Sequence, residues 1–381
     1  MSLTVAFLVP PTVGHVNPTL PLVRELIGRG HRVRYVAGPA TADRVEQAGA
    51  EPIRVPLAVE DLIVDEAGFS TTRMAEMLDH FADAVRAITP QVVDALSADR
   101  PDVLCHDGLF FVGSSVAAHL GVPEVRVVPH FAENAKVSLG ARMVRHGLDP
   151  LDARMGAFGA NAFRLSQEAG PPRDPATVPS LVFLPRSFQI DGDAFDDTFT
   201  FVGPEAPDAE RGTPEKLVYV SLGSILSNRP DFYRLCAEAF ADTGWHVIMS
   251  VGEHIDPGTL AAPNIEAGPW FPQRDVLRRA AAFVSHAGMN SLMDALVAQV
   301  PVIALPLTAE QGLNAERLAE VGAGQVGDLR TLTAAGLRGL VERTAADARI
   351  ADVLKDSFGP RTSTGGARRA ADVIEAHART R

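Results

Sequence analysis

Four short stretches hold side chains whose types and spacing could do chemistry. "FVSHAGMNSLMDAL", 283–296, closes an apolar run at Ser285, turns at Gly288 and opens a helix. His286, Gly288, Asn290 and Ser291 then lie beside free backbone N–H groups and the positive end of a helix, a setting that receives a diphosphate. "GPWFPQRDVL" puts Trp270 and Gln273 in one turn, an indole to stack on a flat base and an amide to pair with its edge. "ALPLTAEQGLNAERL" offers Glu310 and Gln311 after another apolar run, two polar side chains suited to sugar hydroxyls. "VSLGSI" adds Gly223 and Ser224 as a further phosphate contact. Each piece alone is also what an ordinary strand–turn–helix connection contains; together they read base, phosphate and sugar in one stretch of chain.

A fifth stretch lies far away, in "PPTVGHVNPTLPL", 10–22. "LTVAFLVP" before it is short, continuous, apolar and stopped by proline, as a buried strand is. Asn17 is expected to cap a following helix that carries Pro18 in its first turn and runs over 17–29. His15 is thereby placed at a strand-to-helix turn, where open α/β sheets put their chemistry. Gly14 beside it would let a ligand approach the backbone.

The elements that must position these residues alternate throughout. In the first half the strand candidates are "TVAFLVP", "HRVRYVAG", "EPIRVPL", "PDVLCHD", "VPEVRVVP" and "SLVFLPRSF", with helices over 17–29, 72–97 and 110–120. "GPEAPDAERGTPEK", 203–216, is rich in Pro, Gly and charge and reads as a linker. The alternation then restarts with "KLVYVSLGS", "WHVIMSVG", "IEAGPW", "AAFVSHAGM", "VPVIALPL" and "GQVGDL". The expected fold is α/β: two doubly wound Rossmann-like domains facing across a cleft. The expected divisions are 1–203, a linker over 204–216, a second domain over 217–364, and a C-terminal helix over 365–381 that could pack back on the first domain. The irregular stretches 57–80 and 131–175 carry Met and Phe side chains suited to an adaptable apolar pocket wall.

Composition narrows the function classes. At 381 residues the chain exceeds what one core usually serves. A net charge of −12 with scattered basic residues argues against nucleic acid. Cys105 and Cys236, the two cysteines, suggest neither a disulfide framework nor a zinc cluster and suit a reducing cytoplasm. The apolar N-terminal run lacks a signal peptide's basic flank, and no run reaches the roughly 18–20 apolar residues of a membrane span. A nicotinamide dehydrogenase is disfavoured, since no G-x-G-x-x-G follows the first strand.

The succession WxPQ, HAGMxS, and a proline-bounded strand followed by an acid–Gln pair and "NA" resembles the family 1 glycosyltransferases, in particular their bacterial macrolide and natural-product branch. "GHVNPTLPL" and "YVSLGS…PDFYR" resemble that branch too, so the similarity runs over nearly the whole chain. The resemblance implies a GT-B fold with a mostly N-terminal acceptor site and a mostly C-terminal donor site. It implies sugar transfer with inversion, without a metal ion or other cofactor. His15 then matches the general base for the acceptor hydroxyl, and Asp107 the carboxylate that orients it; His106 should point to the opposite side of the sheet. Trp270 and Gln273 match donor-base positions. Gly14, Ser224, His286, Gly288, Asn290 and Ser291 fall in the donor-phosphate region, and Glu310 and Gln311 match the sugar-reading pair. Phe69, Met74, Met77, Phe110, Phe131 and Met143 are the candidates for the acceptor wall.

Two departures from the family pattern matter. Asp294 stands where Glu commonly reaches the ribose diol, and Glu310 where Asp is common. UDP-glucose is the first expectation for the donor, with a TDP-deoxysugar open. The acceptor is expected to be a hydrophobic natural product such as a polyketide or macrolide antibiotic, modified in biosynthesis or for resistance, by a cytoplasmic monomer or homodimer. Asp191 and Asp193 have a D-x-D spacing but lie in an irregular stretch and are not expected to bind metal. The competing readings are a sugar-nucleotide epimerase on a similar fold, whose acid and base groups would surround the donor sugar, and a catalytically silent homologue serving as an auxiliary binding protein.

Overall fold

A computed structural model describes residues 2–58, 70–168, 170–204, 211–223, 227–359 and 365–379. Phe69, Ser224 and much of the 204–216 stretch fall outside the described residues.

The chain forms two fully parallel sheets. The first comprises β1 (Thr4–Leu8), β2 (Arg32–Ala37), β3 (Glu51–Arg54), β4 (Val103–His106), β5 (Glu124–Val128), β6 (Ser180–Val182) and β7 (Phe199–Phe201), in the order β3-β2-β1-β4-β5-β6-β7. The second comprises β8 (Leu217–Ser221), β9 (His246–Ser250), β10 (Ile265–Gly268), β11 (Ala282–Ser285), β12 (Val302–Ala304) and β13 (Gly324–Val326), in the order β10-β9-β8-β11-β12-β13. Strands β1, β4, β8 and β11 are almost wholly buried because helices cover both faces of each sheet. Both sheets reverse direction of growth at one point, between β1 and β4 in the first and between β8 and β11 in the second. Crevices at the carboxyl ends of such strand pairs are where ligands bind in open α/β sheets.

Twelve of the thirteen strands fall within runs legible in the sequence. The exception is β7, whose three residues "FTF" follow Asp-rich irregular chain. The expected helix over 72–97 is Thr71–Ala98, capped by Ser70. The expected 110–120 helix is shorter, Gly113–Leu120, after a single 3-10 turn at Gly108–Phe110.

An apolar cluster joins the two halves, running from Phe131, Phe188 and Phe195 to Phe283, Leu313 and Phe358. Phe131 stacks on Phe188 with centroids 5.7 Å apart, and Phe188 meets Phe358 edge-on at 6.1 Å. Arg317 adds polar ties by donating to the carbonyls of Ser187, Phe188 and Gln189. The last helix, Gly366–Ala378, lays Ala370, Ala371 and Ile374 into the core beneath the first sheet. Its Asp372 and Glu375 accept from Arg29, at the end of the Leu20–Gly28 helix. Among the described residues, no helix is long and apolar enough to cross a membrane.

Candidate active site

His15 follows β1 and Asp107 follows β4, so the strand reversal of the first sheet brings them together across 92 residues of sequence. His15 Nδ1 lies 2.7 Å from Asp107 Oδ2, with the carboxylate 1% exposed and the imidazole 22% exposed. A carboxylate only accepts, so Nδ1 carries the proton and Nε2 keeps a lone pair. Asp107 Oδ1 meanwhile accepts from the Leu109 N–H at 2.8 Å, which fixes the carboxylate plane. His106 points the other way, its Nε2 2.8 Å from buried Glu124 and its ring beneath Gly113.

The charges reinforce one another. Burial by itself would lower the His15 pKa, but the charge and hydrogen bond of Asp107, helped by Glu310 across the cleft, raise it above 6.5. Burial would likewise raise Asp107, yet the charge and hydrogen bond of His15 and the Leu109 N–H hold it below the usual carboxylate range.

The turn carrying His15 is built differently from the expectation. A helical turn begins at Val13 after Thr12, and Asn17 is itself helical with no side-chain capping bond. Its Oδ1 is buried without a partner among the described residues. Asn17 therefore does not cap the helix; the reversal after Pro10 and Pro11 starts the helical path before His15, which leaves no extended residue at 17 to act as a cap.

The second sheet supplies the opposite wall. The Met289–Val297 helix starts at β11's carboxyl end, with Gly288 as its N-cap. The first-turn N–H groups of Met289, Asn290 and Ser291 have no intrahelical partner and point outward. Asn290 Nδ2 donates to the Gly14 carbonyl at 2.8 Å, bridging the two halves beside His15. His286 sits between two glycines: a Cβ at Gly223 would lie 2.7 Å from its ring and one at Gly288 2.5 Å. Gly223 also has φ +80°, a conformation that side chains resist. Burial pushes the His286 pKa down to about 4, with the Ser221 backbone pulling the other way, so the ring is neutral at pH 7. Asn314 Nδ2 holds the Ala287 carbonyl at 3.0 Å and steadies the turn.

Trp270 is 66% exposed, an indole with an open face. Gln273 Nε2 donates to Asp294 Oδ2 at 2.9 Å, and Arg274 Nε donates to Asp294 Oδ1 at 2.8 Å. Both Asp294 oxygens are thus engaged by protein, and Ser291 Oγ lies 3.4 Å from Gln273 Oε1. Glu310 is exposed in the first turn of the Ala309–Glu320 helix, while Gln311 Oε1 accepts from the Leu307 N–H and its amide hydrogens remain for a ligand.

The acceptor candidates divide. Met74 and Met77 are half-buried on the Thr71–Ala98 helix, and Met143 packs against the shared apolar cluster. Phe110 and Phe131 are corrections. Phe110 is completely buried in the core above the first sheet, and Phe131 is buried between the halves on Phe188. Both side chains are consumed by packing and present no face to a ligand. Asp191 pairs with Arg142 at 2.5 Å, on the surface.

Sequence reasoning did not single out His130, which ends the β5 connection beside Asp107, nor Arg274, which holds Asp294. A histidine right after a proline-terminated strand was the available signal for the first.

Residues 207–352 match the family model described as UDP-glucoronosyl and UDP-glucosyl transferase. The chain is 36% identical to the demethyllactenocin mycarosyltransferase of Streptomyces fradiae, covering 97% of this chain and 86% of that protein. It is 34% identical to the NDP-glycosyltransferase YjiC of Bacillus subtilis (strain 168), covering 96% and 95%. It is 34% identical to the oleandomycin glycosyltransferase of Streptomyces antibioticus, covering 95% and 88%. The crystal structure of CalG4, the calicheamicin glycosyltransferase, superposes with a TM-score of 0.81 at 31% identity, over 100% of this chain and 99% of that one. With two parallel-sheet domains of the GT-B kind and full-length relatives of this sort, the chain is an enzyme belonging to the family 1 natural-product glycosyltransferases.

Proposed function

We propose that this glycosyltransferase moves a sugar from a nucleoside diphosphate sugar to a hydroxyl of a hydrophobic natural product, with inversion and without a metal ion. The observation that carries this reading is the His15–Asp107 pair at 2.7 Å, facing the open N-terminus of the Met289–Val297 helix. Relatives named for oleandomycin and demethyllactenocin support an acceptor of natural-product type.

In this reading His15 Nε2 takes the proton of the acceptor hydroxyl while Nδ1–H stays on Asp107. The oxygen attacks the anomeric carbon from the face opposite the diphosphate, and the bond from that carbon to the phosphate oxygen breaks. Attack from the far face inverts the anomeric centre. The departing diphosphate gathers negative charge, met by the N–H groups of Met289, Asn290 and Ser291 and by neutral His286. Asp107 stabilises the imidazolium that forms. Trp270 stacks on the base, and Glu310 and Gln311 read sugar hydroxyls. UDP-glucose is the first donor to try, and a TDP sugar the second, because Asp294 is already engaged by Gln273 and Arg274.

The test is incubation with UDP-glucose or TDP-glucose and a panel of macrolide, ansamycin and aromatic acceptors, with and without EDTA. Mass spectrometry should find an added hexose insensitive to chelation, and NMR a β-linkage from the α-donor. An α-linked product, loss of transfer on chelation, or an isomerised sugar nucleotide without glycoside would overturn the reading.

A further inference from the structure

Strands β4 and β5 are neighbours, with His106 registered against Arg126, so the chain after β5 emerges beside Asp107. The residue it delivers there is His130. Its ring lies 6.4 Å from that of His15, edge-on at 69°. His130 Nδ1 is 2.9 Å from the Phe131 carbonyl. A carbonyl only accepts, so Nδ1 carries a proton, and in the uncharged ring the lone pair is on Nε2. That nitrogen has no hydrogen-bond partner among the described residues. The ring is half-buried, and its anchor is rigid, because the Phe131 side chain is locked against Phe188.

The His15 and His130 rings thus lie side by side, each with a lone pair on Nε2 when uncharged. The first has the nucleophilic hydroxyl. A half-buried acceptor atom facing an apolar ligand with no donor loses its hydration for nothing, whereas a second hydroxyl would satisfy it. With ring centroids 6.4 Å apart, hydroxyls that reach both rings must sit close together on the acceptor. We infer that His130 is an acceptor-reading residue whose Nε2 takes a hydrogen bond from a hydroxyl next to the nucleophile, so that the enzyme prefers vicinal diols or ortho-dihydroxyarenes over isolated alcohols. This rests on the transferase reading above.

The probes are 2-naphthol and 2,3-dihydroxynaphthalene, with UDP-glucose as donor and the full chain as enzyme. One neutral hydrogen bond corresponds to about a tenfold higher kcat/KM for the diol in the wild type. His130→Ala should bring that ratio to about one, and His130→Asn, which retains an acceptor oxygen, should recover part of it. Calorimetric binding of both naphthols to the enzyme–UDP complex reads the same ratio without turnover. A ratio unchanged in His130→Ala, or no preference in the wild type, overturns the inference while leaving transfer intact. Absence of transfer to either compound from both UDP-glucose and TDP-glucose counts against the functional reading; a binding ratio that still depends on His130 would then support the diol site independently.

Discussion

Asn290, in the first turn of the helix after β11, donates its side-chain amide to the carbonyl of Gly14, the residue before His15. This bond crosses from the proposed diphosphate wall to the turn that carries the proposed base. One amide hydrogen is used there, and the second is available to a phosphate oxygen, so a bound donor and the base share one side chain. Asn290→Ala is expected to lower kcat about tenfold, with a smaller change in donor KM. Asn290→Asp should lose more, since a carboxylate cannot donate and repels diphosphate. Steady-state kinetics with both substrates varied checks this; a change confined to donor KM would mean that the bridge has no part in placing His15.

The pH profile follows from the charges around His15. Its pKa in the folded enzyme is raised above 6.5, and the base must be neutral to act. The kcat/KM should therefore climb as pH rises through a value above 6.5. Asp107→Asn removes the main raising partner, so the limb should move to lower pH while the rate falls about 10²–10⁴-fold from loss of the tautomer. The pair's stability contribution has two edges. The part from His15 is full below 6.5 and is lost as pH rises through the raised pKa. The part from Asp107 is present above the unfolded carboxylate range and is lost as pH falls through its depressed value. Thermal melts from pH 3 to 9 of both proteins read these edges.

Gly223→Ala and Gly14→Ala should behave oppositely. A Cβ at 223 would press on the His286 ring at 2.7 Å with φ at +80°, displacing a diphosphate donor. A Cβ at 14 would meet Thr12 Oγ1 at 3.9 Å and Asn290 Nδ2 at 4.0 Å, ordinary contacts. Calorimetry should find UDP binding weakened at least tenfold in the first and nearly unchanged in the second.

Arg274→Ala tests donor selection. Removing the guanidinium frees Asp294 Oδ1 to accept from a ribose 2′-hydroxyl, which thymidine nucleotides lack. The affinity ratio of UDP to TDP is expected to rise about fivefold or more by calorimetry. An unchanged ratio would show that Asp294 does not face the 2′ position.

The legibility of the site was uneven for physical reasons. The family resemblance matches Asp107 to the orienting carboxylate, strand alternation turns His106 away from it, and the structure turns one to His15 and the other to Glu124. The second wall was readable because its groups follow one another in short sequence windows. His130 was not, since its importance depends on β5 lying next to β4, a fact of strand order rather than of local pattern. Phe110 and Phe131 could not be told from pocket residues, because an aromatic after a strand serves a core or a cleft equally well in sequence. Asn17 reads as a cap only for a helix that starts at Pro18, whereas the helical path starts at Val13.

The proposed transfer turns on His15 taking the acceptor's proton. His15→Ala should bind UDP, by calorimetry, within a few-fold of wild type, and its transfer to a neutral alcohol acceptor from UDP-glucose or TDP-glucose should fall by about 10³-fold or more. Transfer near the wild-type rate in that variant would show that His15 is not the base.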